Sequence, residues 1–323
     1  MALIRRSLPH ISATARGVDY GDRVKIALMD SGIGLLAAAR AVRGLRPDAD
    51  LVLSSDPDGM PWGPRTPRDV TERALVVARA AAEHRPDALI VACNTASVHA
   101  LPTLRAELEP DLPVIGTVPA IKPAAAGGRP VAIWATPATT GSPYQRGLIR
   151  EFASAVAVTE VPCPGLADAV QNADEAAIDH AVATAAALTP RDARAVVLGC
   201  THYELVADRI RAALQQPGLP SVVLHGSAGA VAAQAMRRIG NPLAPGVTAI
   251  QAGEAFPAIS GVSGVAGVPE ASGVSLASDV LGVSGVSSGP QLTVLLSGRE
   301  SSLPGVALAY AEGRLLAAVS QVH

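Results

Sequence analysis

The sequence has few of the residues and runs that several common classes of protein require. Its three cysteines are spread over 323 residues without a C-x-x-C pair, which argues against a closely spaced zinc or dithiol redox motif. Lys25 and Lys122 are the only lysines, so a pyridoxal-phosphate enzyme would have almost no residue for its Schiff base. We therefore expect neither a metal nor a cofactor.

Long hydrophobic runs and strong charge are also missing. No apolar stretch reaches the roughly 18 residues of a transmembrane helix, and the arginines near the N-terminus precede no continuous apolar segment of a signal peptide. The formal net charge is −2, and no basic run suggests binding to nucleic acid or a membrane surface. We expect residues 1–22 to be a disordered leader on a cytoplasmic protein whose partners are small molecules or proteins.

Short apolar runs alternate with longer helical stretches along most of the chain. VKIALMD, ADLVLSSD and DALIVACN begin one series, and RPVAIWAT, VAVTEVPCP and ARAVVLGC begin a second. This alternation predicts two α/β units with parallel sheets covered on both faces, separated near residues 117–130 by PAIKPAAAGGRP. A Gly/Ser/Val-rich segment at about 253–289 is predicted to be a flexible insertion that interrupts a domain, because a strand and a helix follow it.

Two cysteines occupy matching positions in the two series. Cys93 follows ALIVA and Cys200 follows AVVLG, so each lies where a predicted strand ends and a helix begins. A helix N-terminus favours the thiolate and would lower the thiol pKa, although a free cysteine is also commonly a small buried hydrophobe. Two such thiols can face each other across a cleft, which suits proton removal on one face of a carbon and proton return on the other. Cys163, in VPCPGL, has no flanking donors and is predicted to be structural.

Polar residues near these cysteines have both a structural and a chemical interpretation. Asp30 is either a helix N-cap or a carboxylate that orients a thiol. His202 is either a hydrogen-bonded histidine near a helix start or a neutral imidazole that shares the proton of Cys200. A cysteine–histidine protease would leave the second strand-end cysteine unexplained. The candidates that cap a helix or donate to a substrate carboxylate are Ser31, Asn94, Thr95 and Thr201.

The ordered motifs of the chain resemble those of the glutamate racemase family. They are MDSGIG, SDPDGMPWG, ACNTAS, VPAIKPA, ATPATTGSPY, CPGLADAVQ and GCTHYE, over about residues 24–240, and the resemblance is expected to return at LTVLLSG. The resemblance implies two pseudo-symmetric, doubly wound, flavodoxin-like domains with the active site between them. These domains comprise residues 23–117 plus 225–323, with the insertion, and residues 118–224. It also implies a homodimer that converts L-glutamate to D-glutamate for peptidoglycan synthesis without a cofactor.

The resemblance also assigns roles to individual residues. Cys93 and Cys200 match the two acid/base catalysts, with Asp30 assisting the first and His202 the second. Asp56 matches an acidic position just before the P-Y-G turn of the family. Residues on the substrate-contact motifs are Ser31, Pro61, Trp62, Gly63, Asn94, Thr95, Thr136, Thr139 and Thr201.

Three departures from the family pattern keep other functions open. Trp62 replaces a tyrosine, Gln171 replaces an acidic residue, and Glu204 replaces a proline. One alternative is a racemase or one-base lyase for another small acid, such as aspartate, a hydantoin or a malonate-type acid. The other is a catalytically weak homologue that acts as a binding protein, for example towards DNA gyrase.

Overall fold

The computed structural model describes residues 23–218, 220–240 and 289–320. The predicted leader, residues 1–22, lies outside the described residues, as does the predicted insertion up to residue 288. Among the described residues, no helix combines the length and apolar character needed to span a bilayer.

Strands and helices alternate through most of the described chain. In chain order the strands are β1 (Lys25–Asp30), β2 (Asp50–Ser55), β3 (Ala88–Val91), β4 (Val114–Gly116), β5 (Val131–Ala135), β6 (Val158–Pro162), β7 (Ala195–Leu198), β8 (Val223–His225), β9 (Leu292–Leu296) and β10 (Arg299–Ser301). The helices are α1 (Leu35–Leu45), α2 (Pro67–Ala82), α3 (Asn94–His99), α4 (Leu101–Leu108), α5 (Ile121–Ala125), α6 (Pro143–Phe152), α7 (Leu166–Gln171), α8 (Glu175–Leu188), α9 (Thr201–Glu204), α10 (Ala207–Leu214), α11 (Ala228–Arg238) and α12 (Ala311–Ser320).

The strands form two sheets that repeat one order. The first sheet runs β10-β9-β2-β1-β3-β4 and the second runs β6-β5-β7-β8. The core of the first, β2-β1-β3-β4, therefore has the same arrangement as the whole of the second, and every pair is parallel except β9 with β10. This is the flavodoxin-like order, which confirms the predicted α/β class with two doubly wound parallel sheets.

The central strands are buried on both faces, as expected for parallel sheets covered by helices. β3 and β7 are apolar and buried throughout, and in β1 only Lys25 is partly exposed. Helix α2 shows how the covering layer forms. Pro67 is its first residue, Thr66 accepts a hydrogen bond from the Asp69 N–H, and one face of the helix is buried. The buried residues of that face are Val70, Ala74, Val77, Ala78 and Ala81.

Local details differ from the sequence pattern at two places. The stretch predicted as one helix after Cys93 is divided into α3 and α4 at Ala100, and Pro102 lies in the first turn of α4. The proline-rich segment between the two series contains the short helix α5.

Near the end of the second series, β8 joins the second sheet, whereas α11 packs against α1. The domain limits themselves stay a prediction.

Candidate active site

Cys93 and Cys200 line one cavity of about 300 Å³. Cys93 follows β3 and precedes α3, and Cys200 follows β7 and precedes α9, which confirms the predicted strand-end positions. β3 and β7 hold equivalent places in the two sheets. The two thiols therefore reach the same cavity from the carboxyl ends of corresponding strands, where ligands of open α/β sheets bind.

The structure brings all the other predicted site residues to this cavity as well. They are Asp30, Ser31, Pro61, Trp62, Gly63, Asn94, Thr95, Thr136, Thr139, Thr201 and His202. Their chemical roles stay predictions, but none of them lies on a remote surface.

The expectation that a helix N-terminus lowers the pKa of both thiols is wrong. Burial raises the pKa of Cys93 well above its ordinary value, and the negative charge of Asp30, which is also a hydrogen-bond partner of this thiol, raises it further. Burial likewise raises the pKa of Cys200 to about 12. Helices α3 and α9 have only six and four residues, so few aligned peptide dipoles oppose the loss of hydration.

Asp30 connects the end of the first sheet's central strand to the start of α9. It has 0% exposure; its Oδ1 accepts from the backbone N–H of Ser31 at 2.6 Å and from the Ser31 hydroxyl at 3.2 Å. Its Oδ2 accepts from the hydroxyl of Thr201 at 3.1 Å. Gly34 is required at this junction, because a Cβ there would overlap both Asp30 Oδ2 and Thr201 Oγ1.

His202 lies beside the Cys200 thiol. Its Nδ1 is 3.9 Å from the Cys200 Sγ, and its Nε2 is 3.0 Å from the Oε1 of Gln171. Burial lowers the pKa of His202, while the carboxylates of Asp30 and Asp168 act in the opposite direction. The residue is 3% exposed, and the lowering of its pKa by burial favours the neutral imidazole.

Trp62 forms an apolar part of the cavity wall. Its indole Nε1 donates to Asp56 Oδ2 at 3.0 Å, and Arg73 and Ser297 also donate to this carboxylate. The Trp62 side chain is buried, with 2% exposure of the residue. Since its only donor is used by Asp56, Trp62 offers the cavity a ring surface and no hydrogen bond.

The remaining polar groups around the cavity are mostly neutral. Among the described residues, no lysine or arginine lines it. Asn94 is buried, and its side-chain amide has no hydrogen-bond partner within the described part of the chain. Thr136 donates to the Thr139 hydroxyl at 3.2 Å. The Asn94 amide is therefore available to a bound molecule, since a buried amide without a partner is costly.

Some lining residues were not predicted as site residues. Asp168 lies in the first turn of α7, and the motif CPGLADAVQ carries the only signal that finds it. Cys163 also borders the cavity, but its thiol donates to the Val161 carbonyl at 3.6 Å and burial raises its pKa to about 12. The other unpredicted lining residues are Met60, Pro64, Pro137, Ala138, Pro164, Gly165, Ala167 and Gly199.

The fold and the cavity define an α/β protein with a small-molecule site between two flavodoxin-like sheets. The chain belongs to the Asp/Glu/Hydantoin racemase family, whose model matches residues 35–233. Racemases are isomerases, and the protein is therefore an enzyme of that class.

Individual relatives agree with this assignment. The chain is 35% identical over 219 residues to the glutamate racemase of Stutzerimonas stutzeri (strain A1501), covering 66% of this chain and 81% of that protein. It is 37% identical over 195 residues to the glutamate racemase of Roseiflexus sp. (strain RS-1), covering 58% and 70%. Its structure is similar to that of Escherichia coli glutamate racemase in complex with L-glutamate and the activator UDP-MurNAc-Ala. The TM-score is 0.61 at 28% identity, with coverage of 70% and 85%.

Proposed function

We propose that this protein interconverts L- and D-glutamate without a cofactor, using Cys93 and Cys200 as two acid/base catalysts. The observation that carries the proposal is that the two cysteines enter one cavity from equivalent strands of two different sheets. The cavity of about 300 Å³ suits a molecule as small as an amino acid. The names of the relatives support glutamate as the substrate.

The proposed reaction moves one proton on each face of the α-carbon. The thiolate of one cysteine takes the α-hydrogen and becomes a thiol, and the pair of electrons stays on the carbon. The opposite thiol then gives its proton to that carbon from the other face and becomes a thiolate. When the product leaves, the first cysteine is a thiol and the opposite cysteine is a thiolate. In this protonation state the site acts on the product enantiomer.

The raised thiol pKa values fit this chemistry. An α-hydrogen is very weakly acidic, so its removal needs a strong base. A thiolate with a raised pKa is a stronger base, and its affinity for the proton is closer to that of the α-carbanion. The cysteine that acts as the base in a given direction then needs a neighbour that accepts its proton before the reaction. Asp30 is the hydrogen-bond partner of Cys93, and His202 lies beside Cys200. We assign Asp30 and His202 to these two roles.

Neutral donors orient the substrate in the proposed complex. Asn94 is the first candidate, because its buried amide has no partner within the described residues. The lining hydroxyls are further candidates, and they are Ser31, Thr95, Thr136, Thr139 and Thr201. Such donors stabilise the charge that develops on the substrate carboxylate as the α-proton leaves.

The biological role follows from the product. D-Glutamate is the expected output, and we propose that it supplies peptidoglycan synthesis in the cytoplasm. Assembly as a homodimer and binding to DNA gyrase stay predictions.

The decisive experiment follows the α-carbon directly. Incubation with L- or D-glutamate in D₂O, followed by chiral separation and mass spectrometry, is expected to yield both enantiomers with deuterium at the α-position. Cys93→Ser and Cys200→Ser should each abolish racemisation, and either variant can retain exchange on one face. Cys163→Ser is the matched control, because its residue borders the same cavity with its thiol engaged by a backbone carbonyl.

Two results would contradict the proposal. One is the absence of exchange with either glutamate enantiomer while a glutamate racemase is active in the same assay. The other is racemisation that survives the loss of either Cys93 or Cys200. A parallel panel of aspartate, hydantoins and malonate-type acids separates a different substrate from an inactive site.

A further inference from the structure

Gln171 joins three parts of the molecule through one oxygen atom. It is the last residue of α7, and its Oε1 lies 2.9 Å from the backbone nitrogen of Ile33 and 3.0 Å from the Nε2 of His202. Ile33 lies two residues before the first residue of α1, and His202 lies on α9. A side chain at Gly32 would overlap this oxygen, so the glycine leaves room for the contact.

The backbone N–H of Ile33 determines which way the Gln171 amide faces. A backbone N–H only donates, so the atom of Gln171 that faces it has to be the carbonyl oxygen. With the amide reversed, an NH₂ group would face the Ile33 N–H and two donors would meet. The position of Oε1 is therefore fixed by a partner that has no alternative protonation state.

The same oxygen determines where the proton of His202 lies. Because Oε1 is an acceptor, the Nε2 at 3.0 Å has to carry a hydrogen; otherwise two lone pairs would face each other. A neutral imidazole with hydrogen on Nε2 has a bare lone pair on Nδ1, and Nδ1 is the atom 3.9 Å from the Cys200 Sγ. We propose that Gln171 is a positioning residue that holds His202 in the Nε2–H tautomer, with Nδ1 ready to accept the proton of Cys200.

The catalytic consequence rests on the proposed racemase function. When the Cys200 thiol ionises, its proton passes to Nδ1 and the electron pair of the S–H bond stays on sulfur. Gln171 is neutral, so it stabilises the resulting imidazolium less than a carboxylate at the same place would. The proton therefore returns to sulfur readily, as a residue that alternates between acid and base requires.

Other titratable groups also face the His202 ring. They are Asp30 at the end of β1, Asp168 on α7, and the thiol of Cys200 after β7. From the segment leading into α1, Gly34 approaches the ring, because a Cβ at this position would lie 2.8 Å from Nδ1. The two carboxylates raise the proton affinity of the ring. The Gln171 amide, which faces Nε2, carries no charge.

Nitrogen NMR of histidine tests the tautomer without requiring turnover. In the full-length protein with ¹⁵N-labelled histidines, comparison with His202→Gln identifies the His202 signals among those of the seven histidines. The wild type is expected to show a protonated Nε2 and a pyridine-like Nδ1. Gln171→Met, which keeps the length of the side chain and removes the acceptor, should shift His202 towards a mixture of tautomers. Gln171→Glu restores an acceptor and should restore the Nε2–H form.

The pH dependence gives a second readout. A carboxylate beside an imidazolium raises its pKa by about one to three units, so Gln171→Glu should move the His202 titration and the acidic limb of kcat/KM upward by that amount. Gln171→Met should lower kcat by about 10- to 100-fold through misplacement of the ring, with a smaller effect on KM. Gln234→Glu, on the exposed face of α11, is the matched control and should change neither.

The outcomes separate this inference from the proposed function. Two results would overturn the positioning role even in an active enzyme. One is a wild-type His202 with its hydrogen on Nδ1, and the other is a His202 titration that does not change in Gln171→Glu. An Nε2–H tautomer in a protein that does not act on glutamate would support the positioning role and refute the racemase proposal. The wild-type spectrum decides the tautomer even when Gln171→Met fails to fold.

Discussion

Glu204 is a buried residue whose carboxylate links the end of α9 to the start of α11 by hydrogen bonds. Its Oε1 accepts from the backbone N–H and the hydroxyl of Ser227 at 2.7 and 2.9 Å, and from the N–H of Ala228 at 3.3 Å. Glu204→Ala removes this acceptor from two buried N–H groups, each of which costs about 1 to 3 kcal/mol when it is left without a partner. Relief of the buried charge offsets part of this loss, so we expect the free energy of unfolding to fall by about 3 kcal/mol.

Urea unfolding at pH 7 measures this effect. Glu151→Ala is the matched control, because Glu151 is an exposed helical glutamate on α6, and we expect a change within about 0.5 kcal/mol. Glu204→Gln keeps a carbonyl acceptor and should lose less stability than Glu204→Ala. A loss in Glu204→Ala no larger than that of the control would refute the reasoning.

The pH dependence of the same measurement tests the sign of the electrostatic effect. Burial raises the pKa of Glu204 above its ordinary value of 4.5, so the folded protein holds this proton more tightly than the unfolded chain. The contribution of Glu204 is therefore complete below that ordinary pKa and declines as the pH rises through the folded pKa. The stability of the wild type relative to Glu204→Gln should fall over this interval, and a rise would show that the hydrogen bonds outweigh burial.

Three further substitutions probe the cavity. Gly34→Ala places a methyl group against Asp30 and should lower kcat about 100-fold, measured by chiral separation, while urea unfolding shows a loss of about 1 to 3 kcal/mol. Asp30→Asn removes a negative charge and should lower the pKa of Cys93, measured as a shift of its alkylation rate to lower pH; an unchanged profile would contradict this. Trp62→Phe removes the donor to Asp56 and should cost about 1 to 2 kcal/mol in urea unfolding, with a higher KM for glutamate; an unaltered KM would contradict a role of Trp62 in substrate binding.

The sequence was sufficient to predict which residues line the cavity because of how parallel sheets are built. An apolar run that ends in Cys-Asn-Thr or Cys-Thr-His indicates a buried strand followed by a helix. The carboxyl ends of parallel strands lie at one edge of each sheet, and these edges of the two sheets border one cavity, which Cys93 and Cys200 both reach. The family motifs supplied the residues that follow the other strands, including Thr136 after β5.

Properties that depend on packing could not be predicted from the sequence alone. The local pattern at Cys93 predicts a lowered pKa, but the raised value comes from burial and from Asp30, which lies 63 residues earlier in the chain. The contact between Ile33 and Gln171 joins residues 138 positions apart, and their spacing in the sequence gives no sign of it. Gln171 was visible only as a departure from a family pattern, and its partners required coordinates.

The duplicated strand order surrounds its two thiols with unlike neighbours, a carboxylate at Cys93 and an imidazole at Cys200. Mirror-image amino acids have equal free energies in water, so a racemase must have the same kcat/KM in both directions. That equality does not extend to kcat or to KM taken separately. The unlike surroundings of the two sulfurs therefore allow one enantiomer to bind more tightly and react more slowly than its mirror image, even though the backbone frameworks that present the two sulfurs are related by internal repetition.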